Sequence, residues 1–465
     1  MKKGGSGGRA VFADPTHKRI FVFSALVLAL ALALVYLKLF YPNTLLWLRY
    51  SVLNFRFSTV VLFNRIFLAL MALNFVKLFA YAFAAKKPKR RAPGNEPGSE
   101  PAVTAVIPAY NEEKTIVDTV RSVLRSDYKN LDVIVVDDGS KDTTLEILRA
   151  TFGKHRRVTI LTQQNTGKSG ALNNGIAAAK GELLFLLDAD TTVAPNAVSL
   201  LVSHFEDPRV AAVSGNTRVG NAKNFITWFQ RVEYIRDFHL LKNGMSRFNA
   251  QAVVPGALGL WRKSAVLECG GFSSDTLGED RDLAMALLKK GYKTEFEAMA
   301  FSETQAPYNM KNFVKQRFRW TYATLQCERK YLSCLMNPFK KGLGLLLMPD
   351  LVIFQTLLPL VTTVGFIVNL VYYDAFQFKL LAVSYALSVF VEIVLFLLAW
   401  RITREKIYFR DILCVIPQRL VYGVVCTFLL YKAALYAFLG VTVLWNKVDR
   451  RKNEVSQPEE PGFDT

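Results

Sequence analysis

Two aspartates, Asp188 and Asp190, close the apolar run LLFLLDADT at residues 183–191, with only Ala189 between them. On a strand, residues two apart point the same way, so both carboxylates can face one spot just past the strand's end. Hard carboxylate oxygens suit Mg²⁺ or Mn²⁺, and such ions keep open positions for substrate phosphates. The pattern reads as a site for a diphosphate. Taken alone, it fits two solvated acids at a strand end equally well.

The elements around it carry further polar residues to the same place. Val103 to Ile107 reads as a strand, and Glu112 to Ser126 as a helix with Ile116, Val120, Val123 and Leu124 on one face. Leu131 to Val136 reads as a second strand, with two more at 157–161 and 182–187. Strands alternating with helices give a parallel α/β sheet, whose ligands bind beyond the carboxyl ends of the strands. Pro108 to Glu113, Asp137 to Ser140 and Asp188 to Thr191 all fall at such ends. No GxGxxG follows the first strand, which argues against a nicotinamide or flavin dinucleotide.

The chain has 465 residues, 51% of them hydrophobic, and a formal net charge of +20. Its length suggests two or three units. Ile20 to Tyr41 and Thr59 to Ala85 are apolar enough to read as spans of a bilayer core roughly 30 Å thick. The first is read as an uncleaved span rather than a signal peptide. Basic residues in the amino-terminal tail and in KKPKRR, 86–91, place both flanks on the cytoplasmic side. Residues 102–310 have no long apolar run and read as a cytoplasmic soluble domain, followed by interfacial helices over 311–350. Leu351 to Tyr373 and Leu380 to Trp400 read as an outward and a returning span. The last apolar stretch, 412–445, is broken by Pro417, Gln418 and Arg419, and a polar tail follows from 446. Here span parity and the basic tail disagree, and an interfacial helix with a bent segment reconciles them. The positive charge is read as anchoring to anionic lipid rather than as a nucleic-acid site, since no nucleic-acid module accompanies it. Five scattered cysteines without a CxxC pair point to a reducing compartment, with neither a zinc site nor a disulfide framework.

IPAYNE (107–112), VVDDGS (135–140), NTGKSGALNNG (165–175), DAD (188–190), GED (278–280) and QRFRW (316–320) occur in the order found in processive family 2 glycosyltransferases, and the chain resembles that family over about 103–325. The group includes cellulose, hyaluronan, chitin and poly-N-acetylglucosamine synthases. The segment from Val253 to Asp280 is similar to the bacterial poly-N-acetylglucosamine synthase branch. The resemblance implies a GT-A type glycosyltransferase domain on a parallel-rich sheet, flanked by transmembrane spans and interfacial helices. It implies that Tyr110 and Glu112 line a uridine pocket, that Asp138 hydrogen-bonds the uracil, and that Lys168 lies near the diphosphate. Asp188 and Asp190 would hold Mg²⁺ or Mn²⁺, Asp190 more directly. Asp280 would be the general base, Gln316 and Arg319 would reach the pyrophosphate, and Trp320 would stack under the acceptor sugar. Asp137 is expected to be a turn residue, and Arg317 and Phe318 to point elsewhere. Gly278 departs from the family, where many members have Thr.

Each motif has a plainer reading on its own. Glu279, Asp280 and Asp282 make an acidic helix start favoured by the macrodipole, and 311–320 makes a basic aromatic helix lying on lipid. The whole set implies a membrane-embedded inverting synthase that extends a β-linked polysaccharide from a UDP-sugar, with UDP-N-acetylglucosamine the implied donor, and passes the chain across the bilayer. Its partners would be the donor, the growing polysaccharide, the lipid bilayer and accessory export or regulatory proteins, with no nucleic acid. A single-addition transferase acting on a membrane lipid is the alternative, and a catalytically silent scaffold is a third reading.

Overall fold

The structure, a computed structural model, describes residues 57–85, 100–371, 375–403, 407–441 and 443. The expected span at Ile20 to Tyr41, the basic run 86–91 and the tail from 446 lie outside the described residues. The chain divides into two compact units. One comprises Met1–Leu73 with Leu357–Ser388, and the other Asn74–Thr356 with Val389–Thr465. The sheet and the site described below belong to the second.

Eight strands form one sheet in the order β3-β2-β1-β4-β7-β6-β8-β5. They are β1 Val103–Ala109, β2 Leu131–Asp137, β3 Val158–Thr162, β4 Leu183–Leu186, β5 Thr191–Val193, β6 Val210–Val219, β7 Gly259–Arg262 and β8 Lys293–Thr304. The first four pair in parallel, as the alternation of strands and helices requires. Beyond β4 the parallel-rich sheet becomes mixed: β7 runs antiparallel to both β4 and β6, β8 is parallel to β6, and β5 is antiparallel to β8.

Both faces of the sheet are covered, which explains why its central strands are apolar throughout rather than alternating. On one face α2 (Ile116–Leu124), α3 (Thr144–Phe152) and α5 (Ala197–Val202) pack over Ile107, Val135 and Phe185. On the other, α4 (Lys168–Ala178), α8 (Lys263–Glu268) and α9 (Glu279–Lys290) pack over Val106, Val136 and Leu184. Burying a side chain such as Phe185, which has no exposed surface, contributes about 2–3 kcal/mol. The helix expected from Glu112 begins only at Ile116. Residues 111–115 instead form a turn, in which the Asn111 and Glu112 amides donate to the hydroxyls of Ser140 and Thr144.

After β6 comes a helical run made of α6 (Phe225–Tyr234), a π-helical stretch at Ile235–Lys242 and α7 (Asn243–Arg247). The long α10 (Met310–Lys330) follows β8. Three helical stretches among the described residues are long and apolar enough to cross a membrane: Asn64–Ala84, Gly342–Gly365 and Ala382–Ile402. The second begins earlier than the Leu351 expected from hydropathy, because residues from Gly342 already form π-helical turns. Pro417 does not end the last apolar helix. α13, for which we number α1 Phe57–Ala84, α11 Leu358–Val371 and α12 Ala375–Thr403 before it, spans Phe409–Pro417. It passes through a π-helical turn at Gln418–Tyr422 into α14, Gly423–Phe438. A local π-turn is a usual way to accommodate a proline inside a helix.

Candidate active site

The carboxyl ends of β1, β2 and β4 lie side by side, with Ala109 opposite Asp137 and Val106 opposite Leu186. The 188–190 segment is where the sequence-based geometry needs revising. β4 stops at Leu186, and the two aspartates sit on the turn into β5 rather than on the strand. The Asp188 amide donates to Gly256 O at 2.8 Å, and the Thr191 amide donates back to Asp188 O at 3.1 Å. The alternation of a strand therefore does not govern the two side chains. Asp188 keeps a third of its side-chain surface exposed, whereas Asp190 is buried and accepts from Thr191 Oγ1 at 3.2 Å.

Lys168 opens α4, where a positive charge opposes the helix macrodipole. Its ammonium turns to carboxylates instead, meeting Asp188 Oδ1 at 2.7 Å and Glu279 Oε1 at 2.8 Å. Burial alone would lower its pKa, but Asp188, Glu279 and Asp280 outweigh burial and hold the ammonium above the usual lysine range. α9 begins with Glu279, Asp280 and Asp282 in its first turn, the sign the dipole favours. Asp280 Oδ1 accepts from the Arg281 amide at 2.7 Å. Burial, followed by the charge of Glu279, raises the Asp280 carboxyl above the usual aspartate range, with Lys168 pulling it back. Lys168, Asp188, Glu279 and Asp280 line one pocket whose inner wall is apolar, built from Leu172, Leu186, Val254, Trp261 and Phe272.

Two glycines let this pocket close. A Cβ on Gly256 would stand 2.7 Å from Lys168 Nζ and 2.8 Å from Asp188 Oδ1. Gly256→Ala is thus expected to displace the lysine from Asp188 and to lower turnover at this site about tenfold, the size of effect a small misplacement of positioned groups produces; steady-state kinetics of the purified variant checks it. At Gly278 a Cβ would meet the Ala323 Cβ of α10 at 3.0 Å, so the departure from Thr at this position accompanies an unusually close approach of α10. The same contact is fastened by the Leu277 amide donating to Gln326 Oε1 at 2.9 Å and by Lys330 Nζ at 2.7 Å from Asp282. Asp282 is accordingly a clamp between α9 and α10.

The other sequence-derived positions form two groups beside the pocket. Asp138 is buried, with one carboxylate oxygen accepting from Gln163 Nε2 and the Thr166 amide and the other from the Gly167 amide. It ties the loop leading into Lys168 to the end of β2. Asp137 accepts from the Ser140 amide, as a turn residue does. Tyr110 and Glu112 are half-buried on the adjoining turn. Gln316, Arg319 and Trp320 lie on α10 rather than in the pocket wall. Gln316 is buried, and its Oε1 has no hydrogen-bond partner among the described residues, whereas Trp320 is 38% exposed.

Three residues of this region were not singled out as site residues by sequence reasoning. Glu279 appeared there only as a neighbour of Asp280, yet it holds Lys168. Gly256 stands within a motif segment but owes its role to a distant lysine. Lys242, on the π-helical stretch, is pushed down to about 7 by burial, against the pull of Asp280 and Asp237. No local pattern marks it.

Among the described residues no group of three or more His, Cys, Asp or Glu side chains is arranged to hold a metal. All five cysteines are free.

Comparison with known proteins follows the same lines. Residues 104–266 match the model of the Glycosyl transferase family 2 domain. A poly-beta-1,6-N-acetyl-D-glucosamine synthase of Staphylococcus aureus strain COL is 30% identical over 246 residues, which is 50% of this chain and 60% of the relative. The synthase of the same name from Staphylococcus epidermidis is 30% identical over 243 residues, covering 52% of this chain and 59% of the relative. The matched region thus spans about three fifths of these relatives' length. A mannosyltransferase from Pyrobaculum calidifontis, solved with GDP-Man and Mn²⁺, superposes with a TM-score of 0.60 at 19% identity, covering 83% of this chain and 99% of that one. The fold is of the GT-A glycosyltransferase type. The strand ends, the 188–190 turn and Lys168 all lie inside residues 104–266, so the similarity to glycosyl transferase family 2 covers the candidate site.

Proposed function

We propose that the chain is a membrane-embedded, inverting glycosyltransferase that extends a β-linked polysaccharide from a UDP-sugar and passes it across the bilayer, with UDP-N-acetylglucosamine as donor. The observation that carries this reading is the convergence of Lys168, Asp188, Glu279 and Asp280 on one pocket at the carboxyl edge of the sheet. The similarity to two poly-N-acetylglucosamine synthases supports the polysaccharide and its monomer. The three apolar helices support a membrane location, with residues 102–310 as the cytoplasmic catalytic domain and 311–350 at the interface.

Asp280 accepts the proton of an acceptor hydroxyl as its oxygen bonds to the donor's anomeric carbon. The bond from that carbon to the diphosphate breaks on the opposite face, and its electron pair leaves with UDP. One-step displacement turns an α-linked donor into a β-linked product. An elevated carboxyl pKa suits the task, because a base works best when its pKa approaches the working pH. Gln316 and Arg319 bind the leaving diphosphate, where a guanidinium fork matches phosphate oxygens. Asp138, Tyr110 and Glu112 frame the uridine.

Asp190 and Asp188 offer the hard oxygen donors that Mg²⁺ or Mn²⁺ takes, and a site with two carboxylates leaves room for substrate phosphate. The Lys168 ammonium already neutralises Asp188 Oδ1, so Asp190 is the principal ligand. The divalent ion, when bound, supplies Lewis-acid neutralisation of the leaving diphosphate. The Pyrobaculum relative holds Mn²⁺ with its nucleotide sugar, in keeping with this assignment.

Trp320 is the acceptor platform in this reading. Trp320→Ala is expected to lower elongation on the order of tenfold or more, as loss of a group that orients a reactant does, while donor hydrolysis falls less. Polymer formation and UDP release, measured in the same reaction, test it. Equal loss of both activities would contradict the platform, and wild-type transfer of one sugar to a lipid, with no polymer, would favour single addition.

A further inference from the structure

Arg317, in the middle of QRFRW, is only 6% exposed, and neither donor nor acceptor binding uses it. Its two terminal nitrogens donate to the two carboxylate oxygens of Glu233 on α6, at 3.0 and 2.6 Å. The Tyr422 hydroxyl, on the π-turn just past Pro417, donates to the same carboxylate. The guanidinium carbon lies 4.3 Å from the centroid of the Trp320 ring, 5.3 Å from that of Phe313 and 5.4 Å from that of Tyr422. A bidentate pair fixes the orientation of a guanidinium as well as its position. A guanidinium fixed over a ring in turn restrains the ring.

The neighbouring residue continues the same seam. Phe318 meets Tyr436 of α14 edge-on, with centroids 5.3 Å apart. Two further arginines of the 225–242 run reach the C-terminal helices, Arg231 to Asp411 at 3.5 Å and Arg236 to Glu392 at 2.9 Å. A buried ion pair adds little net stability over an apolar contact of the same shape, because desolvation offsets the attraction. Its distinctive product here is geometry.

We propose that Glu233 is a positioning residue of the acceptor site: through Arg317 it sets the Trp320 ring, and through Tyr422 it ties that ring to the C-terminal helix beyond Pro417. The inference rests on Trp320 being the acceptor platform. It gives the C-terminal helices a direct mechanical link to the group that holds the growing end. A shift of α14 relative to α10 would then be felt at the acceptor before it is felt at the donor.

The test uses the full chain in lipid vesicles, with Glu233→Gln and Tyr422→Phe made alone and together with Trp320→Ala. Acceptor KM and product length are read beside the rate of donor hydrolysis. Glu233→Gln is expected to raise acceptor KM and shorten the product roughly tenfold, the scale of coupling within one hydrogen-bonded network, with donor hydrolysis unchanged. Tyr422→Phe keeps the ion pair and is expected to show a smaller change of the same kind. It carries the test if Glu233→Gln does not fold. In the Trp320→Ala background neither substitution should add to the loss. Additive losses, no change in acceptor KM, or an equal fall in donor hydrolysis would overturn the positioning role while Trp320→Ala alone still impaired elongation. If Trp320→Ala alone left elongation intact, the platform reading would fail and this inference with it.

Discussion

Asp280→Asn is expected to lower sugar transfer by roughly 10³- to 10⁴-fold, the upper part of the range for loss of a positioned general base, while UDP binding stays within about twofold. The substitution keeps shape and removes only the ability to take a proton. The geometry also separates Asp280 from its neighbour. Glu279 is engaged with Lys168 at 2.8 Å, whereas among the described residues Asp280 Oδ1 accepts a backbone amide bond from Arg281 alone. Glu279→Gln should therefore cost far less, about tenfold, through a loosened lysine. Transfer rates and UDP titration of the two variants check the assignment; a deep loss with Glu279→Gln and an active Asp280→Asn would reverse it. The pH profile adds a second reading. Because burial and Glu279 raise the Asp280 carboxyl, transfer should fall on acidification at a pH above the ordinary aspartate range.

Lys168→Met is the second large effect. The lysine is the cation among Asp188, Glu279 and Asp280, and its removal leaves carboxylates gathered around an apolar wall. Breaking a largely buried pair on one side is costly, and for a lysine that keeps some solvent contact we expect about 2–3 kcal/mol of stability to be lost. Because folding raises the lysine pKa, its contribution is fully present at neutral pH and disappears only when pH rises through the elevated folded value. The destabilisation by Lys168→Met should accordingly be seen at pH 7 in thermal unfolding. Lys168 also pulls the Asp280 carboxyl down, so the acid limb of any residual activity should move to higher pH in the variant. An unmoved limb would remove the electrostatic link between the two residues.

The parallel half of the sheet was legible because its strands are short apolar runs separated by amphipathic helices, and β1 to β4 fall within a few residues of their expected places. The antiparallel half was left unread, although β8 carries a period-two signal, KTEFEAMAFSET, whose residues alternate between buried and partly exposed over most of its length. A strand that turns aside at Leu186 has no local signature. Its end is set by the Asp188 amide reaching Gly256, a contact across 68 positions of chain that periodicity cannot register. The site residues were legible as motifs: spacing brought the 188–190 acids into view, whereas the 278–280 acids came into view only through the family resemblance. Their partnership through Lys168 was not, because the pairing joins the starts of two helices distant in sequence. The same holds for Arg317, which reads as one more basic residue of an interfacial helix until Glu233 and Tyr422 are seen around it.

The most direct measurement is UDP release by the purified chain in lipid vesicles over a panel of UDP-sugars, with Mg²⁺ or Mn²⁺ and with excess chelator, product length being read from the same samples. The expected result is long polymer from UDP-N-acetylglucosamine that requires the divalent ion. Polymer undiminished in chelator would contradict the metal role of Asp190, and release of UDP with only lipid-linked single sugars, or from no donor at all, would contradict the synthase itself.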